Sequence, residues 1–165
     1  MARGVWTAST TLTAADLNDA TAGPCCLIRN SANLSINNAT DTVVTMDTEL
    51  FDVGGLHSTV TNTSRVTIPS GGDGTYLIVA QLQFAANTTG QRALHIRKNG
   101  TTRIGSERQN MTVASTTCTL SLLMFEKLVA TDYIEVEVYQ DSGGALNITA
   151  DSPWSPSLGV VWVAI

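Results

Sequence analysis

Groups that could bind a metal ion are sparse in this sequence. The two histidines, His57 and His95, are far apart, and neither has a second ligand at the short spacing of a zinc site. Asp47, Glu49 and Asp52 lie close together in a predicted loop, where carboxylate oxygens would suit Ca²⁺. Their spacing is not that of an EF-hand, so we interpret them as solvated carboxylates, with a calcium site as the alternative. We expect no metal ion and no cofactor.

Groups that could carry out catalysis occur only as isolated side chains. Serine, histidine and aspartate are present, but no Gly-Xaa-Ser-Xaa-Gly motif is found. Glu135 and Glu137 share one strand face at about 7 Å, and an exposed strand face explains them without glycosidase chemistry. The glycine-rich residues 71–74 are not followed by a predicted helix, so a phosphate cradle is unsupported. We predict that the protein is not an enzyme.

Three aromatic side chains could form a ligand surface. Tyr133, Tyr139 and Trp154 are candidates for stacking on a sugar, as in a receptor-binding protein. Trp154 lies between two prolines, which stiffen residues 151–156. The alternative is that Trp154 packs in its loop and caps the edge of the fold.

Composition limits the classes of partner. Charged residues make up 14% of the chain, against about 25% in an ordinary soluble domain. The net charge is −5, and only Arg97 and Lys98 are adjacent basic residues, which argues against a nucleic-acid partner. No run of about 18 apolar residues indicates a membrane span, and no signal-peptide pattern is visible. We expect a protein made in a cytoplasm that stays there or is released with a particle.

Hydrophobic residues alternate with polar ones through much of the chain, which predicts strands that are buried on one face. Asn99-Gly100 predicts a tight hairpin turn. Cys25, Cys26 and Cys118 form no disulfide framework, and we interpret them as packing residues. Strands are predicted at residues 25–29, 42–46, 64–68, 76–84, 94–98, 117–128, 133–139 and 158–165. Many short strands without long helical patterns predict an all-β antiparallel jelly-roll sandwich.

Some predicted strands are apolar on both faces, although a small antiparallel sandwich normally leaves one face of each sheet in water. The strands near residues 76–79, 120–125 and 158–165 have this character. A second copy of the chain is the simplest cover for the additional faces, with loops or the N-terminal segment as the alternative. The predicted trimer interface comprises Tyr76, Leu123, Phe125, Val161, Val163 and Ile165.

The first 23 residues differ from the rest. They contain few apolar residues, chiefly Val5, Trp6, Leu12 and Leu17, and a short helical turn is predicted from Thr13. Such a segment cannot bury enough surface to fold alone. We predict a docking arm at residues 1–23 and a jelly-roll domain at residues 24–165.

Several segments resemble known families. Residues 47–58, 64–69 and 74–80 resemble the jelly-roll superfamily of tumour necrosis factor and the complement globular head. Residues 92–101 and 157–165 are similar to the variant found in bacteriophage structural proteins. Trp6 followed by residues 12–18 is similar to the opening of many phage tail-associated proteins. The chain departs from collagen-tailed members because it lacks Gly-Xaa-Yaa repeats.

The resemblance implies a homotrimer packed around a threefold axis through an apolar surface. It predicts a structural component of a bacteriophage virion, in which the arm anchors the trimer to other capsid or tail proteins. The alternative is a receptor-binding module that recognises host surface glycans.

Overall fold

The computed structural model describes residues 23–112, 116–151 and 153–164. These residues form two antiparallel sheets, which confirms the predicted all-β fold. Across the same three ranges, no helix has the length and apolar character needed to span a membrane. The strands are β1 Cys25–Arg29, β2 Leu34–Ile36, β3 Thr42–Val43, β4 Thr48–Val53, β5 Arg65–Thr67, β6 Gly74–Phe84, β7 Gln91–Lys98, β8 Thr102–Asn110, β9 Cys118–Leu128, β10 Tyr133–Gln140, β11 Leu146–Thr149 and β12 Ser157–Ala164.

Seven strands form one sheet, which we call sheet A. Its pairing order is β2-β11-β6-β12-β1-β4, and β9 pairs with the other edge of β6. The two longest strands, β6 and β9, pair over their whole length, from Gly74 opposite Leu128 to Phe84 opposite Cys118. Residues 74–84 are therefore the centre of the sheet, with β9 on one side and β11 and β12 on the other.

The other five strands form sheet B. β3 and β5 both pair with one edge of β10, and β7 and β8 follow on its other edge. The turn between β7 and β8 holds Asn99 at φ 53° and Gly100 at φ 69°, the left-handed conformation that a tight hairpin requires. The hairpin predicted from Asn99-Gly100 is thus confirmed.

The core lies between the two sheets and is built from alternate residues of their strands. β6 contributes Tyr76, Ile78, Ala80, Leu82 and Phe84, all fully buried. β10 contributes Ile134, Val136 and Val138 from the opposite sheet. These sets follow the period of two predicted from the sequence. Of the cysteines, Cys26 and Cys118 are buried and Cys25 is half-buried, and all three are free thiols.

One predicted loop is a strand in the structure, and the predicted docking arm is almost wholly outside the described residues. Residues 47–52 were expected in a loop, but Thr48–Val53 is strand β4, at the edge of sheet A. The predicted docking arm, residues 1–23, lies outside the described residues except for Gly23, so the division between arm and jelly roll stays a prediction. The helical turn predicted from Thr13 also lies outside the described residues.

Tyr76 ties the centre of sheet A to a loop inside the protein. Its Oη donates a hydrogen bond to the backbone oxygen of Gly72 at 2.5 Å, and the side chain is fully buried. Burial, with a smaller contribution from the charge of Asp73, raises the pKa of Tyr76 to about 12. The folded protein therefore holds the phenol proton more tightly than the unfolded chain does.

We expect Tyr76→Phe to change the alkaline stability profile. At pH 8 the variant should lose about 1 kcal/mol, because the Gly72 oxygen loses its hydrogen bond. An unfolded tyrosine titrates near pH ~10, so this tyrosine's contribution to stability is full below pH 10 and falls as the pH rises toward 12. Phenylalanine does not titrate, so the variant lacks that loss. Between pH 8 and pH 11.5, the free energy of unfolding of the variant should therefore rise by about 2 kcal/mol relative to that of the wild type.

Urea unfolding at pH 8, 10 and 11.5, at one protomer concentration, measures this difference. Burial also raises the pKa of Cys26 to about 12. Cys26 is present in both proteins, so its titration cancels from the difference. A stability difference that stays constant with pH would show that Tyr76 does not titrate in this window.

Candidate functional site

The outward side of sheet A carries a continuous apolar band across five strands. Strand register places Phe125, Leu77, Val161, Cys25 and Val53 in one row across β9, β6, β12, β1 and β4. The next row along the strands is Leu123, Val79, Gly159, Leu27 and Phe51. These ten residues define what we call the sheet A face.

The sheet A face contains no charged residue, and much of its surface is open to solvent. Leu123 is 64% exposed and Phe125 is 60% exposed, on the strand beside β6. The row that follows is polar and contains Ser121, Gln81, Ser157 and Arg29. An exposed apolar patch bordered by polar residues is typical of a protein-binding surface, and this row forms such a border on one side.

The structure places most of the predicted interface residues on this side of sheet A. Leu123, Phe125 and Val161 belong to the sheet A face, and Val163 is exposed further along β12. Ile165 lies outside the described residues.

The prediction that Tyr76 belongs to the interface is wrong, because Tyr76 is fully buried in the core. Side chains alternate along a strand, so the residues of β6 that face outward are Leu77 and Val79. The alternation of residues 76–84 separates the two faces of the strand, but it does not by itself say which face is buried. The prediction placed Tyr76 on the wrong face.

Strand β4 adds apolar residues that the sequence did not indicate. Leu50, Phe51 and Val53 are 50%, 45% and 43% exposed. The register shifts between Leu27 and Ile28 of β1, which leaves Leu50 without a cross-strand partner on that strand. The bulge breaks the alternation, so the period of two gives no signal here.

The outward side of sheet B is built differently and carries a buried ionic network. Glu137 receives hydrogen bonds from Arg97 Nη1 at 2.5 Å and from Arg103 Nε at 2.6 Å. Glu135 receives bonds from Arg97 Nη2 at 3.2 Å and Arg65 Nε at 3.3 Å. Hydrogen bonding to Glu137 raises the pKa of the Arg97 guanidinium.

Both carboxylates of this network are almost fully buried, with 5% and 4% of the Glu135 and Glu137 side chains exposed. The prediction of an exposed strand face was therefore wrong. Two glutamates at alternate positions give the same sequence pattern whether they face water or arginine. Glu135 and Glu137 are buried because Arg65 and Arg97 of neighbouring strands cover them. The sequence pattern of β10 alone does not show where these arginines lie.

His95 lies beside this network, directly opposite Glu137 on the neighbouring strand. It is 1% exposed, and neither ring nitrogen has a hydrogen-bond partner. Burial, together with the charges of Arg103 and Arg108, lowers the pKa of His95. The imidazole is thus neutral at pH 7.

The candidate calcium ligands do not converge. Asp47 accepts hydrogen bonds from the backbone and hydroxyl of Ser31, and Asp52 accepts from the backbone of residues 56 and 57. Glu49 lies 2.9 Å from Nδ1 of His57. In the described part of the chain, one set of three acidic, His or Cys ligands comes together, and it is Asp41, His95 and Glu137.

The three candidate ligand-binding aromatics lie on different parts of the fold. Tyr133 and Tyr139 are six positions apart on β10 of sheet B, a separation of about 20 Å. The Tyr133 ring already packs under Arg65, whose Cζ is 4.1 Å from the ring centre. Trp154, 43% exposed, lies in the loop between β11 and β12 of sheet A. Trp154 is the one of the three that is open enough to stack on a ligand. The predicted docking-arm residues, Val5, Trp6, Leu12 and Leu17, lie outside the described residues.

No protein-family model and no curated protein matches this chain. Several solved structures do. Murine APRIL at pH 8.0 shares 17% identity at a TM-score of 0.62, over 85% of this chain and 98% of that one. The Eiger TNF from S. frugiperda shares 11% at a TM-score of 0.59, over 85% and 92% of the two chains. The globular domain of zebrafish complement 1qA shares 14% at a TM-score of 0.59, over 85% and 97%.

These similarities cover nearly the whole of each matched structure, but the sequence identities are low. They therefore establish the fold and leave the viral part of the sequence resemblance as a prediction. With its two antiparallel sheets and this set of structural neighbours, the chain has the jelly-roll fold of tumour necrosis factor and the complement globular head.

Proposed function

We propose that this protein is a non-enzymatic structural component of a bacteriophage virion that assembles as a homotrimer through the sheet A face. The observation that carries the assembly is the ten-residue apolar band across five strands. Burying such a surface is the main favourable contribution to association. The jelly-roll resemblance implies threefold packing through an apolar surface, and the sheet A face is a surface of that kind.

The viral part of the proposal is supported by sequence. Residues 92–101, which form most of β7 and the hairpin after it, are similar to phage structural proteins. Trp6 and residues 12–18 supply the second similarity. A low content of charged residues, 14%, suits a chain whose surface is largely covered in an assembly.

The mass of the protein in solution tests the assembly directly. Light scattering should give three times 17.4 kDa for the intact chain. A monomer across micromolar concentrations would contradict the proposal, because the sheet A face would then be stable in water without a partner.

We expect deletion of residues 1–23 to separate assembly from attachment. The shortened chain should still be a trimer by light scattering, because the sheet A face lies wholly within residues 25–161. Its incorporation into particles should fall at least about tenfold, because the deletion removes Val5, Trp6, Leu12 and Leu17, the apolar residues that we propose for anchoring. Particles that incorporate the shortened chain as well as the intact one would contradict the anchoring role. Trp6→Ala, which changes one arm residue, should give an intermediate loss.

A second candidate function is recognition of host surface glycans through Trp154. Its support is the 43% exposure of this ring on a loop that also contains Pro153 and Pro156. A glycan array with the intact protein and Trp154→Ala tests it. Binding that disappears in Trp154→Ala would favour this function, and no binding by the intact protein would exclude it.

A further inference from the structure

His95 is a buried imidazole whose hydrogen-bonding capacity is unused. It is 1% exposed, and neither Nδ1 nor Nε2 has a partner. Buried polar groups in native proteins almost always have partners, because leaving one unpaired costs free energy. His57, the other histidine, follows the rule: Nδ1 lies 2.9 Å from Glu49 Oε1 and Nε2 lies 3.2 Å from the Thr63 oxygen. The unpaired nitrogens of His95 are therefore available to bind a ligand.

Two carboxylates lie within reach of that imidazole. A ring nitrogen of His95 and carboxylate oxygens of Asp41 and Glu137 all lie within 4.8 Å of one another. The three residues come from separate elements, since Asp41 precedes β3, His95 lies on β7 and Glu137 lies on β10. Register fixes the arrangement, because Glu137 pairs with His95 on one side and with Val43 on the other.

The two carboxylates already attract one cation, the guanidinium of Arg103. Its Nη2 lies 2.8 Å from Asp41 Oδ2 and 2.5 Å from Glu137 Oε1. Arg103 belongs to β8, the edge strand of sheet B, and 37% of its side chain is exposed. It can therefore turn into solvent without disturbing the core. Arg97, which holds the other oxygen of Glu137 at 2.5 Å, would stay in place.

We propose that Asp41, His95 and Glu137 form a binding site for a divalent transition-metal ion of the Zn²⁺ class, which enters by displacing the Arg103 side chain. One imidazole nitrogen and two carboxylate oxygens are ligands that Zn²⁺ accepts, with water at the remaining position. The Asp41 side chain is 49% exposed, which leaves a path from solvent. The bound ion would link the segment before β3 to β7 and β10. The site lies on sheet B and does not depend on the sheet A face.

Calorimetric titration of the intact, chelator-treated protein with Zn²⁺ tests the site. We expect one ion per chain in the wild type. Arg103→Ala should bind Zn²⁺ at least about tenfold more tightly, because the competing cation is gone, and His95→Ala at least about tenfold more weakly. His57→Gln is the matched control, and its affinity should equal that of the wild type.

A spectroscopic measurement keeps the test independent of whether His95→Ala folds. In His57→Gln, His95 is the only imidazole, so its ring proton signals in the NMR spectrum should shift on addition of Zn²⁺. Co²⁺ in the same variant should give no thiolate charge-transfer band, which excludes binding at Cys25. Unshifted His95 signals, or weaker binding in Arg103→Ala than in the wild type, would overturn the proposal.

Discussion

Replacing Phe125 by glutamate is expected to convert the proposed trimer into folded monomers. Phe125 is 60% exposed in the protomer and lies in a row with Leu77 and Val161. The substitution removes apolar area from the contact and places a carboxylate in an apolar surface. Burying an unpaired carboxylate costs several kcal/mol, so assembly should need at least about a hundredfold higher protein concentration.

Light scattering over a dilution series, with circular dichroism as the check on folding, measures this effect. Val60→Glu is the matched control, because Val60 is an 85% exposed apolar residue in the loop between β4 and β5 and is not one of the ten residues of the sheet A face. It should remain a trimer at every concentration at which the wild type does. If Phe125→Glu stays a trimer as stable as the wild type, the contact between protomers lies on another surface.

Glu137→Ala is expected to destabilise the folded protomer by about 3 kcal/mol, which is a large fraction of the stability of a small domain. Glu137 is 4% exposed as a side chain and receives bonds from both Arg97 and Arg103. Its removal leaves two guanidinium groups without their shared partner, one of them only 20% exposed. The cost comes mainly from the cations that stay behind, since a buried ion pair itself contributes little net stability.

Urea unfolding in a Phe125→Glu background, in which we expect no assembly, measures the loss. Glu126→Ala is the control, because Glu126 pairs with Lys98 at 3.2 Å with both side chains more than a fifth exposed. Ion pairs of that kind contribute about 0–1 kcal/mol. Equal losses in the two variants would show that burial of the ionic network does not matter for stability.

The sequence predicts those parts of the fold in which one strand face meets the core and the other meets water. β6 was predicted on this basis, and its alternate residues from Tyr76 to Phe84 are buried as the pattern indicates. β8 was missed because nearly every residue from Thr102 to Asn110 is polar or small. Its pairing with β7 makes it a strand, and pairing between strands is not encoded in the local pattern.

The two candidate functional surfaces also differ in how far the local sequence pattern predicts them. The apolar residues of β9 and β12 stand out in the sequence because they occupy both faces of a strand. The cluster of Asp41, His95 and Glu137 gives no such signal, because its members are separated by more than 40 positions and meet only through the register of sheet B. Spacing rules for metal ligands apply to residues on one element, so they could not find this group.

The position of β12 makes the proposed assembly depend on the synthesis of residues 157–164. β12 is the last strand along the chain among the described residues, yet it lies in the interior of sheet A, between β6 and β1. Until residues 157–164 have left the ribosome, β6 and β1 have no common neighbour, and both apolar rows are interrupted in the middle. Contacts between residues far apart in sequence form slowly, because the entropy of closing the loop between them is lost first. A chain cut short before β12 would present unpaired strand edges instead of a contact surface, so the proposed assembly requires that β12 has been made and has paired.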